Sequence, residues 1–273
     1  MAEAPVPAQI GEYAIAARVG IGGEGVVYRA HSPGRRPVAV KVRHREHADA
    51  GFDEEYELAA RLDAAITAAP IEHGHCALGA YLVTAWLDGY ERLRPTWDID
   101  RLWRLVGGIA DCIAATNAAG VVHCDVKPDN LMVCGDDIRL IDFGIARDAR
   151  APQRISRYVQ CSRGWAAPEQ LSADPVSPAA DVFAWGCVTV YLATGATPYS
   201  SRTDREWVTR LRTTMPDLTR VPPGLSGLVA AALHPRPRCR PTAADLASAC
   251  RARRFTGRAP VRRRYVPDTR AAA

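Results

Sequence analysis

The chain has 273 residues, 48% of them hydrophobic and 24% charged, with a formal net charge of +5. That is the composition of an ordinary globular protein, long enough for one large domain or two lobes. No apolar run approaches the ~20 residues that cross a bilayer, so a membrane span is not expected. The longest candidate, Val182–Ala193, is too short and carries Trp185, Gly186 and Thr189.

The start, Met1-Ala2-Glu3-Ala4-Pro5, lacks a basic-then-apolar signal pattern, and a cytoplasmic protein is expected. The eight cysteines are scattered with no C-x-x-C pair, and read as small buried apolar residues. His73-Gly74-His75-Cys76 has a faint metal-ligand look but no second cluster to complete a zinc site. Of 35 basic side chains only two are lysine, Lys41 and Lys127. An ammonium is a compact point charge and a guanidinium a planar fork, so the two are not interchangeable at a tight phosphate site. Lysine used so sparingly marks both positions.

Residues 1–10 are rich in alanine and proline and read as a flexible lead-in. Tyr13–Val19 alternates weakly and runs into Gly20-Ile21-Gly22-Gly23-Glu24-Gly25-Val26-Val27. G-x-G-x-x-G alone is a weak signal shared with dinucleotide-binding folds. Here β-prone Val26-Val27-Tyr28 follows instead of a helix, His31-Ser32-Pro33-Gly34 closes a hairpin, and Val38-Ala39-Val40-Lys41 forms the next strand. Phe52–Leu62 reads as a helix with Phe52, Glu55, Ala59 and Leu62 on one face. A glutamate on an apolar face needs a partner; Lys41 is the candidate, with Glu54 as the alternative to Glu55. Ala80–Gly89 contains a further strand.

Asp100–Ala119 reads as a helix, with an aspartate near its start and Gly120 past its end. Next come Val121–Asn130, then Leu131-Met132-Val133, a Cys134–Asp137 turn, Ile138–Ile141 and Asp142-Phe143-Gly144. An antiparallel hairpin returns the chain to where it began, so Asn130 and Asp142 are expected side by side. Two oxygen ligands there suit magnesium, which is held by few protein groups plus substrate phosphates. Asp125 lies close enough to act as a base. Ser177-Pro178 opens a nearly all-apolar helix through Ala193, with serine as N-cap and Asp181 near its start. An all-round apolar helix is buried.

Taken in order, His123–Asn130, Asp142-Phe143-Gly144, the glycine loop, Val38–Lys41 and Ala167-Pro168-Glu169 resemble the protein kinases, in their bacterial, eukaryotic-like (Hanks-type) serine/threonine branch. The resemblance implies an α+β, bilobal kinase fold over 11–250. Its small β-rich N-lobe with one main helix would cover about 11–87, and its larger, mostly helical C-lobe about 88–250. ATP and Mg2+, with Mn2+ possible, are the implied cofactors, and protein hydroxyls the implied acceptors. Val19, Gly20, Gly22, Gly23, Gly25, Val27, Ala39, Lys41, Thr84, Ala85, Leu87 and Asp88 would bind nucleotide. Thr84 would guard the back of the adenine pocket, backbone groups of Ala85 and Leu87 would bond its edge, and Asp88 would reach the ribose or form an ordinary turn. Lys41 would pair with Glu55; Asn130 and Asp142 would hold the metal; Asp125 would be the base, with Lys127 steadying the transferring phosphate. His123 would be structural. Asp181 would brace the catalytic loop, and Glu169 would pair with Arg240, or else Arg238.

Cys124 stands where the resemblance expects an arginine that pairs with a phosphorylated residue, and a thiol makes no such charge-assisted bond. Activity independent of phosphorylation at Ser156, Tyr158 or Ser162 is therefore expected. A pseudokinase-type ATP-binding module and a small-molecule phosphotransferase are the competing readings. The tail from Arg251 to Ala273 holds eight arginines against one aspartate. It reads as a disordered, solvated end, with docking to acidic partners as its functional alternative. Phe255 and Tyr265 give little basis for stacking on bases, and no specific nucleic-acid binding is expected.

Overall fold

The computed structural model describes residues 6–44, 51–151, 161–171 and 175–252. Ser156, Tyr158 and most of the basic tail lie outside these residues, as does the start of the lead-in. The chain divides into two units, Met1–Tyr90 with Ile141–Gly144, and Glu91–Leu140 with Ile145–Ala273.

The first unit is a sheet with one helix. Its elements are β1 (Gln9–Ile10), β2 (Tyr13–Ile21), β3 (Gly25–His31), β4 (Pro37–Arg43), α1 (Asp53–Ala60), β5 (Pro70–Cys76) and β6 (Gly79–Ala85). The six strands lie in the order β1-β2-β3-β4-β6-β5. Register decides what each face carries, because residues directly opposite in an antiparallel pair project to the same side. Tyr28 opposes Val40, Ala30 opposes Val38, and Val40 opposes Val83. With Ile10, Tyr13 and Val42 these side chains form a buried apolar layer. The other face follows from the period of two. Val27 opposes Lys41, which opposes Leu82; Ala39 opposes Thr84. One face of the sheet thus presents Val27, Ala39, Lys41 and Thr84 together. Phe52, just before α1, packs on that side against Ala80 and Leu82.

α1 is shorter than the sequence pattern suggests, and Phe52 serves as its N-cap residue without a side-chain cap. Glu55, Leu58 and Ala59 form its buried side, so Leu58 takes the place expected of Leu62. β5 is a strand that the sequence reading left out. His73 and Cys76, weighed there as metal ligands, lie on it: the His73 ring stands 4.8 Å from Tyr56, and the Cys76 thiol donates to Gly79 O at 3.4 Å.

The second unit is mainly helical. It contains β7 (Glu91–Arg92), α2 (Ile99–Ala118), β8 (Val121–Val122), β9 (Leu131–Cys134), β10 (Asp137–Leu140), β11 (Arg147–Asp148), α3 (Ala179–Thr194), α4 (Asp204–Thr213), α5 (Pro223–Ala232) and α6 (Ala243–Ala252). α2 is capped by Asp98, whose Oδ1 accepts from Arg101 N at 3.0 Å, and Asp100 sits in its first turn. α3 starts at Ala179 with Pro178 at the cap position and no side-chain cap, so Ser177 does not play the expected part. α3 nevertheless needs little help, since it is buried almost all round. Trp185 within it is fully buried and donates Nε1–H to Val106 O at 2.8 Å. At Gly186 a Cβ would stand 2.8 Å from the buried Leu233 side chain, which would have to shift to admit it. α6 continues to Ala252, and Arg251, read in the sequence as tail, pairs with Asp111. Among the described residues, no helix is long and apolar enough to cross a membrane.

Candidate active site

In the first unit the site is built around Lys41. β4 carries it on the face away from the apolar layer, at 15% side-chain exposure. Its Nζ donates to Glu55 Oε1 at 3.1 Å, Asp142 Oδ1 at 2.5 Å and Glu24 Oε2 at 3.2 Å. The partner on α1 is thus Glu55 rather than Glu54. Burial works against the charged ammonium, yet the three carboxylates outweigh it and hold the Lys41 pKa above its usual value. Burial pushes the Glu55 carboxyl upward against the pull of Lys41. Arg43, two residues along the same face, lies 3.7 Å from Glu55 and stacks 4.2 Å from the Phe52 ring. Arg43 had no signal in the sequence, where it is one arginine among many.

The glycine loop is the turn between β2 and β3. Gly22 N–H donates to Gly25 O at 2.9 Å, which folds the tip back on itself. Gly25 admits no side chain: a Cβ would lie 2.1 Å from Val42 O. At Gly23 a Cβ would meet nothing within 4 Å, so the tip backbone is open to a close approach from outside. Gly20 opposes Val27 across the turn. Val19 falls at a register shift between Arg18 and Gly20 and is exposed. At the end of β6, Ala85 N–H donates to Ala69 O at 2.9 Å, and Leu87 O accepts from Tyr90 N–H at 3.4 Å. Thr84 is half-buried and Asp88 exposed. Asp142 adopts a left-handed conformation, φ 66°, which is uncommon for a non-glycine residue and marks a backbone held by its surroundings.

In the second unit the site is the loop after β8. β8 pairs with β11, and Asp181 of α3 grips the chain where that pairing ends. Asp181 is 1% exposed. It accepts from the backbone N–H of His123 and of Cys124, both at 2.9 Å, and from Asn117 Nδ2 at 3.1 Å. Cys124 has a left-handed backbone, φ 66°. Its carbonyl accepts from Gln170 Nε2 at 2.7 Å and its thiol contacts Val122 O at 3.5 Å. Burial pushes that thiol's pKa well up, so it stays neutral. His123 is fully buried, and its Nδ1 accepts from Asp125 N–H at 3.2 Å. That fixes the ring in place as a structural acceptor. Asn117 and Gln170 were not singled out from the sequence.

This bracing aims Asp125. Its Oδ2 accepts from Lys127 Nζ at 2.7 Å and from Asn130 Nδ2 at 3.0 Å. Lys127 Nζ also donates to Ser162 Oγ at 2.7 Å. The second oxygen, Oδ1, is buried and without a hydrogen-bond partner among the described residues. A buried orphan acceptor costs about 1–3 kcal/mol, a cost that a donor arriving from outside would remove. With its nitrogen committed to Asp125, Asn130 has its oxygen left for a cation. β9 and β10 pair in register from Leu131 with Leu140 to Cys134 with Asp137, so the hairpin closes at the residue after Asn130. Further on, Glu169 takes a two-pronged pair from Arg240 at 2.6 and 2.8 Å. Arg240, not Arg238, is the partner, and its guanidinium also lies 4.9 Å from the Phe183 ring.

A β-rich unit with a glycine loop over a carboxylate-bound lysine, and a helical unit with an Asp-x-Lys loop braced from a buried helix, define the protein kinase class. The chain matches the protein kinase domain over residues 13–251 and belongs to that family. Its relatives are bacterial serine/threonine kinases of the Hanks type. It is 35% identical over 251 residues to the probable serine/threonine-protein kinase PkwA of Thermomonospora curvata, covering 88% of this chain and 34% of that one. It is 32% identical to the serine/threonine-protein kinase AfsK of Streptomyces coelicolor, over 88% of this chain and 32% of the other. It is 31% identical to the serine/threonine-protein kinase PknD of Mycobacterium tuberculosis, over 89% and 40% respectively. The chain thus spans about a third of the length of the first of these relatives.

Proposed function

We propose that this chain transfers the γ-phosphoryl group of Mg-ATP to serine or threonine hydroxyls of proteins. The observation that carries the reading is Asp125. One carboxylate oxygen is anchored by Lys127 and Asn130, and the other is buried and unpartnered among the described residues. That is the arrangement of a base waiting for a hydroxyl proton. Lys127 bridges Asp125 and Ser162, where its charge can steady the phosphoryl group in transfer. Lys41, held by Glu55, would take the α- and β-phosphates. The oxygens of Asn130 and Asp142 are hard donors and fit magnesium. Bound magnesium would neutralise the charge that develops on the phosphate oxygens. We assign the adenine edge to the Ala85 carbonyl and the Leu87 N–H, since the Ala85 N–H and the Leu87 carbonyl are already engaged. Asp88 would meet the ribose.

Activity would not require phosphorylation of the activation segment. Support comes from Cys124: it is buried and neutral, and it bonds Val122 O. It therefore offers no cation to a phosphate. The experiment is a phosphorylation assay on casein or a basic protein, with phosphoamino-acid analysis, for wild type and Lys41→Ala. Phosphoserine or phosphothreonine made by wild type and lost in the variant is the expected result. Phosphorylation of small molecules alone would overturn the choice of acceptor. In the same assay, phosphatase-treated enzyme should keep its rate; a loss of about tenfold or more would refute independence from the segment.

A further inference from the structure

Glu24 has no role in the reading above. It sits at the tip of the glycine loop, on the backbone that would cover the phosphates. Its carboxylate points inward: Oε2 lies 3.2 Å from Lys41 Nζ and 3.8 Å from Arg43. A Cβ built on Gly144 would stand 2.5 Å from the same oxygen, so Glu24 is lodged against the glycine that follows Asp142-Phe143. The Glu24 backbone is itself fixed. Its carbonyl accepts from His44 N–H at 3.1 Å, and the His44 ring bonds Gly22 O at 2.9 Å. The side chain can therefore turn without moving the backbone that carries it.

Three carboxylates, from Glu24, Glu55 and Asp142, have oxygens within 4.8 Å of one another around the Lys41 ammonium. A polyphosphate arriving at that ammonium meets all of them as like charges. Glu55 is 5% exposed in its side chain and is held by Arg43 as well. Asp142 is the group assigned to the metal. Glu24 is 32% exposed and stands on a loop tip, so it is the carboxylate that can leave.

We propose that Glu24 is a built-in competitor of the nucleotide phosphates: its carboxylate occupies the anion position on Lys41 and must rotate outward before a triphosphate can bind. It is an affinity-setting residue that takes no part in the chemistry. The inference rests on the assignment of Lys41 to the phosphates. Removing the charge should favour anionic ligands and leave neutral ones alone, because only the former compete for the ammonium.

The test compares wild type with Glu24→Gln, which keeps the shape and removes the charge. ATP, ADP and adenosine are the probes, with binding by titration and KM for Mg-ATP from turnover. The expected result is about fivefold tighter ATP and a lower KM, with kcat and adenosine affinity unchanged, a change typical of losing one partly exposed ion pair. Unchanged or weaker ATP binding by Glu24→Gln would overturn the proposal. An equal change for adenosine would overturn it too, since the side chain would then be acting on loop shape. Wild type that bound no ATP at all would sink the nucleotide reading together with this one, whereas turnover with unaltered affinity in the variant would sink this one alone.

Discussion

Single carboxylates do three different jobs in this chain, and their surroundings decide which. Asp181 is enclosed and fully satisfied by three N–H donors. Asp125 is half satisfied, with one oxygen in use and one unpartnered among the described residues. Glu24 is a third exposed and shares a cation with two other acids. The sequence makes the first two visible through motif spacing. It is silent on Glu24, because a loop-tip glutamate reads as solvated until the fold sets it over Lys41. It is equally silent on Asn117 and Gln170, whose partners lie 64 and 46 residues away along the chain. Asp181 gives a stability prediction. Asp181→Ala would strand the His123 and Cys124 N–H groups in a buried site, costing about 3 kcal/mol or more, with Asp181→Asn in between. Chemical denaturation measures this; a loss below about 1 kcal/mol for Asp181→Ala would contradict the bracing role.

Elements with strong periodicity or an unmistakable breaker came through best. α2 and α3 are close to their expected spans because each ends at a glycine in the left-handed region, Gly120 at φ 79° and Gly195 at φ 76°. Their starts depend on side-chain geometry: Asp98 caps α2, and no side chain caps α3, where Ser177 was expected to. β5 escaped notice for a different reason. Pro-Ile-Glu-His-Gly-His-Cys has no apolar alternation, and tertiary contacts hold it in place. Tyr81 of β6 donates to Glu72 of β5 at 3.0 Å, and the same carboxylate bonds the Tyr13 hydroxyl of β2. Burial first, and then Glu72, raises the Tyr13 pKa from 10.0 to about 12. Between these values the unfolded chain gives up the proton and the folded chain keeps it. Folding stability therefore falls as pH rises from 10 toward 12. Thermal melts across that window should show a shallower decline for Tyr13→Phe than for wild type; parallel declines would contradict the link between β2 and β5.

At the scale of the whole molecule, the two units contribute different chemistry. The first assembles Lys41, Glu55 and Asp142 under the glycine loop; the second assembles Asp125, Lys127 and Asn130. The first needs long-range folding, since Lys41 and Asp142 are 101 residues apart; the second is local in sequence, and its long-range support is Asp181, which holds His123 and Cys124 from 58 and 57 residues away. The Lys41–Glu55 pair was legible from residue type and spacing, because a glutamate on an apolar helix face needs a cation. The central claim is that the orphan oxygen of Asp125 receives the acceptor's proton. Single-turnover phosphoryl transfer from Mg-ATP to a protein acceptor, at matched nucleotide occupancy, tests it with Asp125→Asn against wild type. The account predicts a rate loss of about a hundredfold or more with ATP affinity retained. Transfer by Asp125→Asn at close to the wild-type rate would contradict it.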